Sequence, residues 1–484
     1  MQSLTAADVQ MIVQAAATAA QSDEMVIAVV DRLGRILAVY EKPSAPATLP
    51  GNFGDPTPAA DLAVNLARTG AYFSNDEAPL SSRTVRFISG IHFPPAVMNT
   101  PNAALYGIEN TNRGCTLAPG LAATIPPSTT IAGTSPGFGI ITGKADVNDS
   151  QPFAVNPGGV PIFKNGQEVG GIGVAAADPA LAEYVAYSGA TLGATGPPSS
   201  APPYLGFPAF PAPGFVSIAG ITLPFVNQTS APPGVTPGTF DGSFISGPIS
   251  SPGAPPDGDL IPIAAGSMLS AAQVTEILDN AVATANTTRA QIRLPPQVKA
   301  KMVIAVSDLN GTLIGLRRMP DATIFSIDVA ATKARNVIYF SGATRQPADL
   351  NQVPMGTAVT NRTIGFGAQP FFPSGIDGSA PGPFFNLYVM DTANPCTQGL
   401  QTPGPAWPSV NQSGIVFFPG SEPLYINGVL VGGLGVSGDG VDQDDFVTAG
   451  GAMGFEADPS IRADQVIIDG VRLPFLKFPR NPTD

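Results

Sequence analysis

Apolar residues at Val9, Ile12, Val13 and Ala16 recur with helical spacing behind Thr5. The same spacing returns at Val274, Ile277, Leu278, Ala281 and Val282 behind Ser270. Two amphipathic helices with hydroxyl N-caps are predicted there. A β-branched run follows each of them, over 26–30 and 303–306. Each run ends in a turn carrying glycine, Asp31-Arg32-Leu33-Gly34 or Asp308-Leu309-Asn310-Gly311. Returning strands are expected over 36–40 and 313–316. A second helix is predicted over 61–74 and again over 328–341. Arg68 with Tyr72, and Arg335 with Tyr339, stand at i and i+4, where a guanidinium can rest on a ring. After a long irregular section comes a closing hairpin with Asn165-Gly166 or Asn427-Gly428 at its tip. Its second strand holds Gly170, Gly171 and Gly173, or Gly432, Gly433 and Gly435, a sign of another backbone or a ligand close by. A last helix starts near Pro179 and near Asp442.

The elements come in pairs because the sequence is duplicated. PIFKNGQEVGGIGV from Pro161 and PLYINGVLVGGLGV from Pro423 share eight of fourteen positions, and DLAVNLARTGAYFSN from Asp61 matches DVAATKARNVIYFSG from Asp328. The period is far too long for a solenoid. The expected fold class is α/β, an α+β sandwich: two copies of an antiparallel sheet flanked by helices, packed as an intramolecular pseudo-dimer. The expected domains are 1–190 and 268–484, joined by a Pro/Gly-rich connector over 191–267. Part of that connector is expected to lie against a domain, because it carries Phe207, Phe210, Phe215, Ile218, Ile221, Leu223 and Phe225.

Composition narrows the functions. Gly 54 and Pro 52 make up more than a fifth of the 484 residues, while only 12% are charged, so the chain is loop-rich. A net charge of −13 argues against a nucleic-acid surface. One histidine in the whole chain excludes a multi-His metal site. No apolar run is long enough for a membrane span. The first twenty residues do not read as a secretory signal, since the first basic residue is Arg32. The low lysine content still favours an extracellular or periplasmic setting, its signal absent from this chain, over a cytoplasmic one.

Copy two carries VIAVSDLNGTLIGLRRMPDA, DVAATKARNVIYFSG and PLYINGVLVGGLGVSGDGVDQDDFVTAGGA. Together these resemble the GlcG/HbpS-like haem-binding family, on Asp308, Gly311, Arg318, Asp321, Ala322, Lys333, Ala334, Pro423, Gly428, Gly432, Gly435, Ser437, Gly438, Gln443, Asp444 and Gly451. The resemblance implies an α/β sandwich that commonly oligomerises. It also implies haem or a related tetrapyrrole as ligand for some members. Copy one departs from the pattern: Leu66 stands where Lys333 does, and Leu181-Ala182 replace Gln443-Asp444. Any function needing those polar groups is expected in copy two only, with copy one as its degenerate structural partner.

Each candidate residue has two readings. His92, the only imidazole, is the conventional candidate for an iron ligand; its twin is Phe371, which reads as a slot for a flat ring. Arg83 and Arg362 are matched between copies and could clasp a propionate or bond loop carbonyls. Lys333 could contact an anion or form a salt bridge. Asp439, Asp442, Asp444 and Asp445 read as calcium oxygens or, in preference, as an N-cap with acidic first-turn residues. Cys115 and Cys396 occupy near-equivalent places in the copies and would meet if the copies pack about a pseudo-twofold axis. A disulfide between them is expected in an oxidising compartment; two buried thiols are the alternative. No catalytic residue and no metal site are expected. The function expected is a non-enzymatic binding protein for haem or a related tetrapyrrole, with a homo-oligomer or protein partner in view. The alternative is a structural or interaction protein of an extracellular assembly that has lost its ligand.

Overall fold

The structure, a computed structural model, describes residues 2–51, 56–115, 157–193, 216–295, 297–394, 396–401 and 413–483. It divides into two compact units. Unit 1 holds 1–88 and 125–255; unit 2 holds 89–124 and 256–484.

Unit 1 opens with α1 (Ala6–Ala19), where Thr5 and Asp8 form a reciprocal capping box. β1 (Met25–Asp31) and β2 (Ile36–Glu41) follow as an antiparallel hairpin. A two-stranded ribbon, β3 (Thr48–Pro50) with β4 (Pro56–Pro58), leads into α2 (Ala59–Phe73) and α3 (Ser82–Phe87). The closing hairpin is β5 (Gly159–Lys164) and β6 (Gln167–Ala176), then comes α4 (Pro179–Ala190). A small hairpin, β7 (Ser217–Ile218) and β8 (Ile221–Thr222), precedes β9 (Ser243–Ser246). The sheet runs β5-β6-β1-β2-β9.

Unit 2 repeats this with β10 (Gly258–Asp259), α5 (Ala271–Thr287), β11 (Val303–Ser307), β12 (Leu313–Arg318) and α6 (Phe325–Ser341). α7 (Asn361–Gly367) and α8 (Phe385–Ala393) follow, then β13 (Ser421–Ile426), β14 (Val429–Ser437) and α9 (Val441–Gly451). A terminal hairpin, β15 (Ile467–Ile468) and β16 (Val471–Arg472), closes the chain. The sheet runs β10-β12-β11-β14-β13, so both units have the same strand arrangement. Each sheet is antiparallel and carries helices on both faces.

The strand glycines are explained by helix packing. Ile172 and Val174 join α1 and α4 in the core of unit 1. Gly171 and Gly173 face the other way, where a Cβ would overlap the Ala67 and Ala63 carbonyls of α2. Gly433 and Gly435 stand in the same relation to Ala334 and Ala330 of α6. The close neighbour is therefore a helix backbone. Asn165 and Gly166 (φ 50° and 78°) and Asn427 and Gly428 (φ 51° and 76°) make the expected hairpin tips.

Three features differ from the sequence expectation. First, 191–267 supplies strands as well as a connector: β9 adds the fifth strand to one sheet and β10 to the other, while Leu223 and Phe225 are buried, as expected of a part lying against a domain. Phe207, Phe210 and Phe215 lie outside the described residues. Second, the irregular sections contain α3 and α7, each opened by a hydroxyl capping box, Ser81 with Thr84 and Thr360 with Thr363. Third, 89–124 from copy one is part of unit 2.

Candidate functional site

In each unit an arginine on a short helix is held by an acid on the last helix. Arg362 of α7 donates through Nε to Asp445 and through Nη2 to Asp442 Oδ1 at 2.7 Å. Arg83 of α3 grips Glu183 of α4 through both oxygens, at 2.6 and 3.1 Å. The same carboxylates also accept from a strap of backbone. Lys477 N donates to Asp445 at 2.9 Å; Asn227 N donates to Glu183 at 2.9 Å. The capping hydroxyls complete the grip. Thr363 donates to the Pro474 carbonyl at 2.7 Å and Thr360 to Phe475 at 2.6 Å. Thr84 donates to Pro224 at 2.5 Å, and Ser81 donates to Phe225. The strap is Leu-Pro-Phe in both units, at 223–225 and 473–475, each preceded by a small hairpin.

Lys333 lies on α6 and is fully buried. Its ammonium donates to the Val436 carbonyl at 2.8 Å and to Asp444 at 3.0 Å, and stands 4.9 Å from the centre of the Phe418 ring. Burial pushes the Lys333 amine down and the Asp444 carboxyl up to about 7; the charge of each partner opposes the shift. Beside this pair, Arg293 bonds Asp439 through Nε and Asp321 through Nη1 at 2.6 Å. Arg293 belongs to the segment over 289–301 that copy one lacks.

The acids of α9 are thus matched to cations. Among the described residues no cluster of His, Cys, Asp or Glu could hold a metal ion. Asp442 is not the N-cap, a place taken by Gly440; Asp442 and Asp444 lie in the first turn, where carboxylates favour the helix dipole. Arg68 and Arg335 reach the first hairpin, donating to the Gly34 carbonyl at 3.0 Å and the Gly311 carbonyl at 2.8 Å.

His92 is 1% exposed. Its Nε2 lies 2.8 Å from Asp377 Oδ1, and its ring stacks on Phe371 with centres 6.3 Å apart. Asp377 also accepts from Asn99 N at 2.9 Å, and its own N donates to Asn99 Oδ1 at 3.1 Å. His92 and its twin Phe371 therefore share one aromatic slot. Cys115 and Cys396 are joined by a disulfide, with Cα atoms 5.4 Å apart.

One buried acid was not singled out by the sequence. Glu422 of β13 is 1% exposed, and its Oε2 meets no hydrogen-bond partner among the described residues. Burial raises its carboxyl to about 8, against the pull of Arg462. Copy one has Val160 at this place, and that contrast was the available signal.

Residues 269–452 match the family model described as "Haem degrading protein HbpS-like". This stretch of copy two is similar to the HbpS-like family. The HbpS-like domain holds the Lys333–Asp444 pair, the Arg362 grip and Glu422. Two corrinoid adenosyltransferases named PduO are similar over 157 residues: 27% identical for Salmonella typhimurium and 29% for Citrobacter freundii. Each match covers 32% of this chain, and the chain spans 33% of the length of either relative. Among solved structures, the Klebsiella pneumoniae protein ORFY is 17% identical with a TM-score of 0.24, covering 38% of this chain and 86% of its own. The PduOC:heme complex is 21% identical with a TM-score of 0.26, covering 40% and 97%.

A haem would ask for an open axial donor and free cations for its propionates. The residues nominated for it do not fit. Arg83, Arg362 and Lys333 direct their donors at internal carboxylates, and His92 is buried on Asp377. Among the described residues no helix is long and apolar enough to cross a membrane.

Proposed function

We propose that the chain is a non-enzymatic binding protein whose HbpS-like domain takes haem or a related tetrapyrrole. The observation that supports this reading is the family match over 269–452, beside the likeness of 157 residues of the chain to two corrinoid adenosyltransferases. Haem and corrinoid are both broad, largely apolar macrocycles. Because the four nominated side chains are internally engaged, recognition rests on ring contact and not on ligation by His92 or clasping by Arg83, Arg362 or Lys333. Titration with ferric haem and with the iron-free macrocycle tests this. Both are expected to give saturable absorbance changes, and His92→Ala is expected to keep them. No saturable change for either compound overturns the reading. Steady loss of the haem band on adding a reductant overturns its non-enzymatic part.

The second reading is a structural or interaction protein that kept the scaffold and lost the ligand. The internal pairing of all four nominated residues favours it. Failure of both titrations, together with self-association in sedimentation, would support it.

A further inference from the structure

Residues 89–115 precede the closing hairpin of copy one, yet they belong to unit 2. Their last turn crosses two helix ends of that unit. Asn112 N donates to Asp328, in the first turn of α6, at 2.7 Å. The Arg113 guanidinium caps the end of α8, donating to the Asp391 carbonyl at 2.7 Å and to the Thr392 carbonyl at 3.2 Å. Two residues later Cys115 is bonded to Cys396, which lies in a left-handed backbone conformation, φ 66°. The Asp391 side chain braces the loop on the cysteine's side, accepting from the Thr397 hydroxyl at 2.7 Å. The disulfide spans 281 residues of chain, and beside it Asn110 Nδ2 donates to the Thr392 hydroxyl at 3.3 Å and Asn112 Nδ2 to the Phe325 carbonyl at 3.4 Å.

We propose that Cys115–Cys396 is a redox latch: with the bond closed, 89–115 is fixed on unit 2, and with it open the end of this segment lifts from α6 and α8. A small dithiol supplies the reduction. One thiolate attacks a cysteine sulfur, breaking the S–S bond and forming a mixed disulfide. The second thiolate then displaces the remaining cysteine. The protein pair gains two electrons and two protons; the dithiol loses them and closes to its own disulfide. Cys396 is 1% exposed and Cys115 is 7% exposed, so the attack waits on local opening of the segment. Hydrogen bonds at the ends of α6 and α8 re-form with water once the tether is gone.

Hydrogen exchange on the full chain tests this, before and after reduction by a dithiol, with thiol titration confirming two free cysteines. The Asn110, Thr111 and Asn112 amides are expected to exchange at least about tenfold faster after reduction, while those over 303–307 stay within about twofold. The double variant Cys115→Ser with Cys396→Ser should reproduce the reduced pattern without dithiol. Unchanged protection of Asn112 in fully reduced protein overturns the proposal. So does a uniform loss of protection across unit 2, which would make the bond a staple of the whole fold.

Discussion

Copy one and copy two solve the same corner of the fold by opposite chemistry. Where α6 and α9 approach the start of β13, copy two buries Lys333 against Asp444. Copy one has Leu66 and Ala182 at the twin positions, both buried. The corner is the same one. A Cβ on Gly420 would meet Asp444 Cβ and Lys333 Nζ at 2.7 Å, and a Cβ on Gly158 would meet Ala182 Cβ at 3.3 Å. A pair of polar signature residues can thus be exchanged for an apolar pair while the backbone keeps its course. Their replacement in copy one is a matched packing change. The Arg-to-acid grip on the strap is kept in both copies, with Glu183 doing in one what Asp445 does in the other.

The strongest way to break this comparison is to remove one partner of the charged pair. Asp444→Ala leaves an ammonium buried and is expected to destabilise unit 2 by about 3–5 kcal/mol in denaturant unfolding. Lys333→Leu with Asp444→Ala recreates the pair of copy one and should return to within about 1 kcal/mol of the parent. A double variant as damaged as the single would show that copy two needs its charge for something else.

Glu422 against Val160 sharpens the contrast through pH. The folded carboxyl sits at about 8, above its ordinary value of 4.5. The folded state therefore binds the proton more tightly than the unfolded chain does. The stability linked to Glu422 is fully present below about pH 4.5 and is lost as pH rises through about 8. Glu422→Val should flatten that fall and stabilise unit 2 by about 2 kcal/mol at pH 8, with little effect at pH 4. Parallel pH curves for parent and variant would count against an uncompensated carboxyl. The smallest effect is expected at the caps. Thr5→Ala and Ser270→Ala each remove the acceptor of a capping box and should each cost about 1 kcal/mol, a near-equal pair.

Much of the fold was legible in the chain. The spacing of Val9, Ile12, Val13 and Ala16 marked α1, and the Asn-Gly pairs marked the hairpin tips, because these signals act within a few residues. α3 and α7 were short enough to escape periodicity, although their Ser81–Thr84 and Thr360–Thr363 caps were in plain view. The matched Leu-Pro-Phe straps were also present, but nothing local ties Pro224 to Thr84 across 140 residues. Arg83 and Arg362 were recognised as twins. Their acids were not, since Glu183 and Asp445 differ in type and are reached only after the last helix folds back.

By itself the sequence determined the duplication, the order of helices and hairpins in each copy, and the places where glycine is required. These depend on period, on turn conformation and on self-similarity, all properties of the chain read in order. Tertiary structure alone decided that 89–115 lies on unit 2, that 191–267 is shared between two sheets, and that the nominated ligand residues are bound to internal acids. Those outcomes depend on which distant surfaces bury one another and which buried charges find a partner, and water's exclusion from those contacts sets the choice.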